Sequence, residues 1–245
     1  MIRAVILTRN EAGFIAGCIQ SIHSVTDDVL VLDSGSTDDT AKIAAGLGAT
    51  VETIDWLGFA GTRNLALDHC RDAKWTLFVD ADERISPCLA REIRDAAGTA
   101  SDDLDGFLIP RRNVICGRIM RAGGWWPDYQ LRLLRPEQCR YREDRQVHEV
   151  ARCQGIVLAL NSPMIHLNYR TWREFLQKQL AFARLASTAS LRPRRRAYLG
   201  APVRTIWRHF VSEQGFRDGF HGLIASALLG VAELYRVQLA RRHKA

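Results

Sequence analysis

Several signposts of specialised protein classes are missing from this chain of 245 residues. Its six cysteines (Cys18, Cys70, Cys88, Cys116, Cys139, Cys153) form no CxxC pair and none of the spacings of a zinc site, so reduced thiols of a cytoplasmic protein are expected. No GxGxxG follows the first apolar run, which removes a dinucleotide-dependent oxidoreductase. The opening MIRAVILTRNEAG has only four apolar residues after Arg3, too few for a secretory h-region. Near the C-terminus the uncharged run Gly219 to Ala232 has 14 residues, short of the roughly 20 of a transmembrane helix, and no span is expected. There is no internal repeat and no low-complexity tract. Lysine is scarce: Lys42, Lys74, Lys178 and Lys244 are all there are, so arginine carries nearly all the positive charge.

What is present describes a soluble globular protein, 47% hydrophobic and 25% charged. The length suits one large α/β domain with an extension. The net charge of +7 is unevenly placed: from Tyr169 onward there are 15 Lys/Arg against 4 Asp/Glu, whereas the first 168 residues hold 19 against 23. Either a coding bias or attraction to an anionic partner explains the basic third. That partner would be a membrane surface, a phosphorylated glycolipid or nucleic acid.

Apolar runs at Ile2–Leu7, Asp28–Leu32, Thr50–Ile54 and Trp75–Val79 read as strands. Helical spacing fills Ala12–Ile22, Asp38–Ala45, the latter capped by Ser36 or Thr37, and Gly61–Cys70. Continuous apolar strands alternating with helices predict a mostly parallel sheet covered on both faces. Ligands of such sheets gather at the carboxyl ends of the strands, where the polar clusters TRNE, DSGSTDDT and DADE all fall. After Asp105 further strands are expected at Gly106–Pro110, Gln130–Leu134 and Ile156–Leu160, among loops rich in Gly, Trp and Arg. From Thr171 the chain turns helical, and Phe216–Leu239 repeats apolar residues at helical intervals. This last segment is a buried helix, a dimer contact or an interfacial membrane helix with basic flanks.

Asp80, Asp82 and Glu83 follow a strand directly. Ionised carboxylates left unpaired in a low-dielectric site cost several kcal/mol each, so they need water or cations. A D-x-D pair on extended chain points both carboxylates to one side, where a hard divalent cation can be held together with substrate phosphates. An exposed loop with helix-capping acids is the bland alternative.

The company of the DxD weighs against that alternative. Leu7 to Glu11, Asp33 to Asp38, Gly61-Thr62-Arg63-Asn64, Val79 to Glu83, Gly124 to Leu133 and Val147-His148-Glu149 occur in the order of inverting family 2 glycosyltransferases. Over about residues 1–170 the chain resembles that family, more closely the subset similar to lipopolysaccharide-core β-1,4-glucosyltransferases. The resemblance implies a GT-A fold, α/β and Rossmann-like, over residues 1–170, with a basic helical extension over 171–245. It also implies a UDP-sugar donor, UDP-glucose favoured, a glycolipid or saccharide acceptor, Mg²⁺ or Mn²⁺, and peripheral attachment to the inner face of the inner membrane. Thr8 and Glu11 would then contact uridine and ribose, Asn10 and Ser34 would belong to the same nucleotide-binding loops, and Asp33 would meet the uracil edge. Arg63 would support base or diphosphate, Asp80 would lie near ribose and sugar, and Asp82 would hold the metal, completed by His166. Inversion needs a general base on the acceptor. Asp128 is the first choice and Glu149 the competitor, although this chain has Pro127-Asp128 where many relatives have Glu-Asp. His148 is an ambiguous further candidate. Trp125 and Trp126 suggest an acceptor platform, or packing. Arg132 and Arg135 suggest a clamp for diphosphate or an acidic acceptor.

Two other function classes compete. A metal-dependent nucleotidyltransferase usually needs a glycine-rich basic loop after the first strand, which TRNEAG is not. A nucleic-acid-binding module accounts for the basic third but not for three acidic loops, and no nucleic-acid partner is expected.

Overall fold

A computed structural model describes residues 1–142, 151–188 and 197–242. Its chain divides into two compact units, residues 1–111 with 129–166, and residues 112–128 with 167–245. Residues 112–128 group with the C-terminal segment, where the sequence placed them in the first domain.

The first unit begins β1 (Ile2–Thr8), α1 (Ile15–Ile22), β2 (Val29–Asp33), α2 (Thr40–Gly46), β3 (Thr50–Thr53), α3 (Gly58–His69), β4 (Trp75–Phe78), β5 (Glu83–Arg84) and α4 (Pro87–Thr99). Strand β1 lies between β2 and β4, parallel to both, and β2 is parallel to β3. Such pairings require crossovers, which the helices supply. Strand β1 shows why both faces are covered. Ala4 and Ile6 pack with Ile15, Ile19 and Ile93 on one side, whereas Val5 packs with Ala66, Leu67 and Phe78 on the other. Alternation at a period of two thus feeds two cores, and the strand reads as a continuous apolar run.

The sheet continues through β6 (Leu104–Ile115), β8 (Asp128–Leu134) and β12 (Met164–Tyr169) in the order β3-β2-β1-β4-β8-β6-β12-β5, with β7 (Arg118–Ile119) and β11 (Ile156–Ala159) paired to β6. Strand β8 is antiparallel to β4 and β12 to β5, so the sheet is mixed. The α/β reading holds.

Three local readings change. Helix α4 lay unassigned in the sequence, although Ser86 caps it by accepting from the Leu89 N–H at 3.2 Å and Pro87 opens it. Helix α2 begins at Thr40 with no side-chain cap, because Ser36 and Thr37 are engaged elsewhere. Cys139 on β9 (Cys139–Tyr141) and Cys153 on β10 (Ala151–Cys153) face each other across the antiparallel pair and form a disulfide, which corrects the expectation of six thiols.

The second unit holds α5 (Trp172–Thr188), α6 (Ala197–Trp207), a π-helical turn at Arg208–Ser212, a 3₁₀ turn at Gly215–Asp218 and α7 (Gly219–Arg242). Ile115, Met120, Tyr169, Phe175 and Ala225 form its core. By length and composition the stretch Gly215–Ala240 is long and apolar enough to cross a membrane, and a third of its most apolar window is buried. The sequence reading stopped at Ala232 because Glu233 follows. In the helix, Glu233 pairs with Arg236 at 2.7 Å, which lowers the cost of both charges.

Candidate functional site

The carboxyl ends of β1 and β2 are stitched together by their loops. Asp33, 3% exposed at the end of β2, accepts the Ser36 hydroxyl at 2.6 Å and the Ser36 N–H at 3.2 Å. The Ser36 Oγ in turn accepts the Asn10 N–H at 2.9 Å. Asn10 sits at a φ of 57°, a region asparagine tolerates, and its Oδ1 accepts the Thr37 N–H at 2.8 Å. The Glu11 N–H donates to Thr40 Oγ1 at 2.8 Å, and the Ser34 N–H donates to the Thr8 carbonyl at 3.0 Å. Thr8, Asn10, Glu11, Asp33 and Ser34 are therefore brought together. The Thr8 hydroxyl oxygen is buried and has no hydrogen-bond partner among the described residues.

Beyond β4 the chain does not stay extended. Strand β4 ends at Phe78, and the Glu83 N–H donates to the Asp80 carbonyl at 2.8 Å, closing a turn. The pleat therefore does not align Asp80 with Asp82, as the D-x-D argument had supposed. Asp80 and Glu83 share Arg132, whereas Asp82 faces His166. Arg132 on β8, 3% exposed, binds Asp80 through both terminal nitrogens and Glu83 Oε1 at 2.5 Å. Arg63 on α3 reaches Asp80 at 3.5 Å and lies over the rings of Phe78 and Tyr141, with centroids at 5.2 and 5.5 Å. Arg111 approaches the fully buried Glu83 at 3.5 Å, and Glu83 Oε2 accepts the Asp80 N–H at 2.9 Å. Burial alone would raise the Asp80 carboxyl, but Arg132 and Arg63 outweigh it and hold the group well below the usual carboxylate range. Burial likewise opposes the charge on Arg132, and its carboxylate partners override it, raising its pKa.

Asp82 differs. The difference is in partner and not in exposure, since its side chain is 23% exposed against 34% for Asp80: His166 Nε2 on β12 stands 3.4 Å from Oδ2. The register explains the meeting, because His166 pairs directly with Glu83. The two residues singled out for metal are thus adjacent. They are two donors only: among the described residues no group of three or more His, Cys, Asp or Glu side chains is gathered for an ion. One carboxylate and one imidazole suit a divalent cation that takes its remaining ligands from diphosphate and water.

Two arginines expected to clamp an anion are committed to the protein. Arg132 is bound as above. Arg135 donates to the carbonyls of Leu104 at 2.6 Å and Ser101 at 2.8 Å, its guanidinium 4.8 Å from the Trp75 ring centroid. Asp128 belongs to the second unit, where the Asn113 amide donates to its Oδ2 at 3.2 Å. Trp125 packs edge-on to Tyr169 and against Phe175, as a core residue does, and Arg112 lies over Trp126. Glu149 and His148 lie outside the described residues. What the sequence reading missed is that Glu83 is buried and that Arg111 and Arg132 are its partners. The one available signal was three acids in four residues followed by arginines on later strands.

Residues 4–156 match the family model for glycosyl transferase family 2. The chain is 28% identical over 254 residues to the lipopolysaccharide core biosynthesis glycosyltransferase LpsC of Rhizobium meliloti, covering 95% of this chain and 91% of that protein. It is 46% identical over 92 residues to the uncharacterized glycosyltransferase RC0292 of Rickettsia conorii, covering 38% of this chain and 32% of that one. The chain thus spans about a third of that relative's length. Among solved structures, Mycobacterium tuberculosis glucosyl-3-phosphoglycerate synthase aligns with a TM-score of 0.40 at 25% identity, over 46% of this chain and 44% of that one.

Proposed function

Because this chain belongs to glycosyl transferase family 2, we propose that it moves a hexose, glucose first among candidates, from a UDP-sugar to a saccharide of the lipopolysaccharide core or a related glycolipid, with inversion. The observation that carries the reading is the division of labour at the strand ends of the first unit. One carboxylate, Asp80, is engaged by Arg132 and Arg63, while its neighbour Asp82 faces the imidazole of His166. The full-length similarity to LpsC supports the lipopolysaccharide acceptor.

In this reading the uracil and ribose lie against Thr8, Asn10, Glu11, Asp33 and Ser34. Asp82 and His166 would hold Mg²⁺ or Mn²⁺, which supplies Lewis-acid stabilisation of the departing diphosphate. Arg63, propped on Phe78 and Tyr141, fixes Asp80 beside the sugar. Asp128 takes the proton of the acceptor hydroxyl, with Glu149 as the competitor; both assignments rest on their places in the family motifs. The basic second unit would hold the enzyme on anionic lipid at the cytoplasmic face of the inner membrane. Family membership weighs against the nucleotidyltransferase and the nucleic-acid-binding module.

Radiolabelled UDP-glucose tests the activity. Label should pass to a lipid-extractable acceptor in the presence of Mn²⁺. Transfer from none of a panel of UDP- and GDP-sugars would remove the proposal.

A further inference from the structure

In the second unit, α6 and α7 lie along each other so closely that a Cβ on Gly230 would come within 2.6 Å of Ile206 Cγ1. The outward faces of this pair carry large apolar side chains. Val203, Trp207 and Val211 recur every four residues on α6 and its π-helical continuation, so they share one face. Phe216, Phe220 and Leu223 follow on the 3₁₀ turn and the first two turns of α7. Trp207 is 62% and Phe220 70% exposed, far more than large hydrophobic side chains ordinarily are.

Charge selects among possible partners. Arg204, Arg208 and Arg217 stand exposed among these apolar residues. Residues 197–242 contain three acids, and none offers an unengaged carboxylate. Glu213 pairs with His209 at 2.7 Å and Arg208 at 3.5 Å, buried Asp218 accepts the Arg121 and Ala122 N–H groups at 2.9 to 3.1 Å, and Glu233 pairs with Arg236. A second copy of the chain would set these arginines against their own kind, which opposes a symmetric dimer. Nucleic acid would accept the arginines but has no use for Val203, Val211 and Leu223. An anionic bilayer surface takes both, with aromatic and aliphatic groups at the headgroup boundary and guanidiniums on lipid phosphates.

We propose that the α6–α7 hairpin is an interfacial anchor, with its turn end, Val211 to Phe220, entering the headgroup region of an anionic membrane while α7 lies along the surface rather than crossing it. The proposal rests on the reading that the second unit meets a membrane, and narrows it to these side chains. Because they are exposed, replacing them removes binding without emptying a core.

The test is flotation of the full-length protein with phosphatidylglycerol–phosphatidylcholine vesicles and with phosphatidylcholine vesicles, alongside analytical ultracentrifugation. The wild type should float with the anionic vesicles only and be released by alkaline carbonate. The double variant Trp207→Ser, Phe220→Ser should lose at least tenfold in vesicle affinity, and Arg204→Glu should lose several-fold and flatten the salt dependence. The control Ile156→Ser, Leu158→Ser, at exposed apolar positions of the first unit, should float like the wild type. Unchanged flotation of the Trp207, Phe220 variant while the wild type binds would overturn the anchor but leave membrane contact standing. A wild type that ignores anionic vesicles would overturn both. Carbonate-resistant binding would assign α7 to a span instead, and a dimer broken by the same substitutions, without vesicle binding, would assign the face to a second copy.

Discussion

Asp33 and Asp80 stand just at or beyond the ends of the two strands that flank β1, and each is held by a different kind of partner. Asp33 is satisfied within its own loop, by the N–H and hydroxyl of a residue three positions on. Asp80 is satisfied by Arg132, 52 residues away on β8, and by Arg63 on α3. The first arrangement is neutral-donor chemistry that a motif can encode. The second is an ion-pair network that exists only once the sheet has assembled, and it takes up Asp80, whereas Asp82 faces His166.

The largest effect should come from breaking that network. Arg132→Met leaves the fully buried Glu83 and the partly buried Asp80 short of their principal cation, and a loss of about 3–5 kcal/mol is expected in urea unfolding. Arg132→Lys, which keeps the charge but not the fork, should lose distinctly less. A loss below about 1 kcal/mol for the methionine variant would mean that the carboxylates are neutralised some other way.

Asp82→Ala sharpens the contrast within the DxD. Transfer should fall by about a hundredfold or more, about 2.7 kcal/mol of barrier, while unfolding free energy moves by less than about 0.5 kcal/mol. A variant that lost stability instead would place Asp82 in the structural network with its neighbours.

Ser36→Ala probes the local side of the comparison. It removes the hydroxyl that links Asp33 to Asn10 and should cost about 1 kcal/mol of stability, with a several-fold weaker affinity for UDP. Unchanged UDP affinity would show that the stitched loops do not shape the nucleotide site.

The smallest effect is one of pH. The folded-state pKa of Asp80 is depressed, so its contribution to stability is complete above the ordinary carboxylate pKa of about 4 and fades as pH falls below it. Asp80→Asn should therefore flatten the acid side of a stability profile measured from pH 7 to pH 3. An equal acid slope in both proteins would remove Asp80 as a source of it.

What could be read from the sequence follows the same line between local and distant. The parallel strands β1 to β4 and their helices were legible because each is a short continuous run bounded by polar turns. Thr8, Asn10, Asp33 and Ser34 were legible as a cluster because strand ends converge. The partners of Asp80 and Glu83 were not, since Arg132 comes to them only through the pairing of β8 with β4. Asp82 and His166 were named together from the family likeness alone, and their 3.4 Å approach depends on a strand register that no local pattern encodes. The caps of α2 were misread for a related reason: Ser36 and Thr37 had stronger claims from Asp33 and Asn10, one of them across a separate loop. The disulfide escaped because Cys139 and Cys153 become neighbours only across the β9–β10 pair.

Isothermal titration of UDP into the protein with and without Mn²⁺, for the wild type and for Asp82→Ala, tests the central claim most directly. The account predicts that Mn²⁺ tightens UDP binding to the wild type by at least tenfold and leaves Asp82→Ala unaffected, with weak metal-free UDP binding common to both. Undiminished Mn²⁺ enhancement in Asp82→Ala would contradict it, since the carboxylate that faces His166 would then have no part in holding the donor.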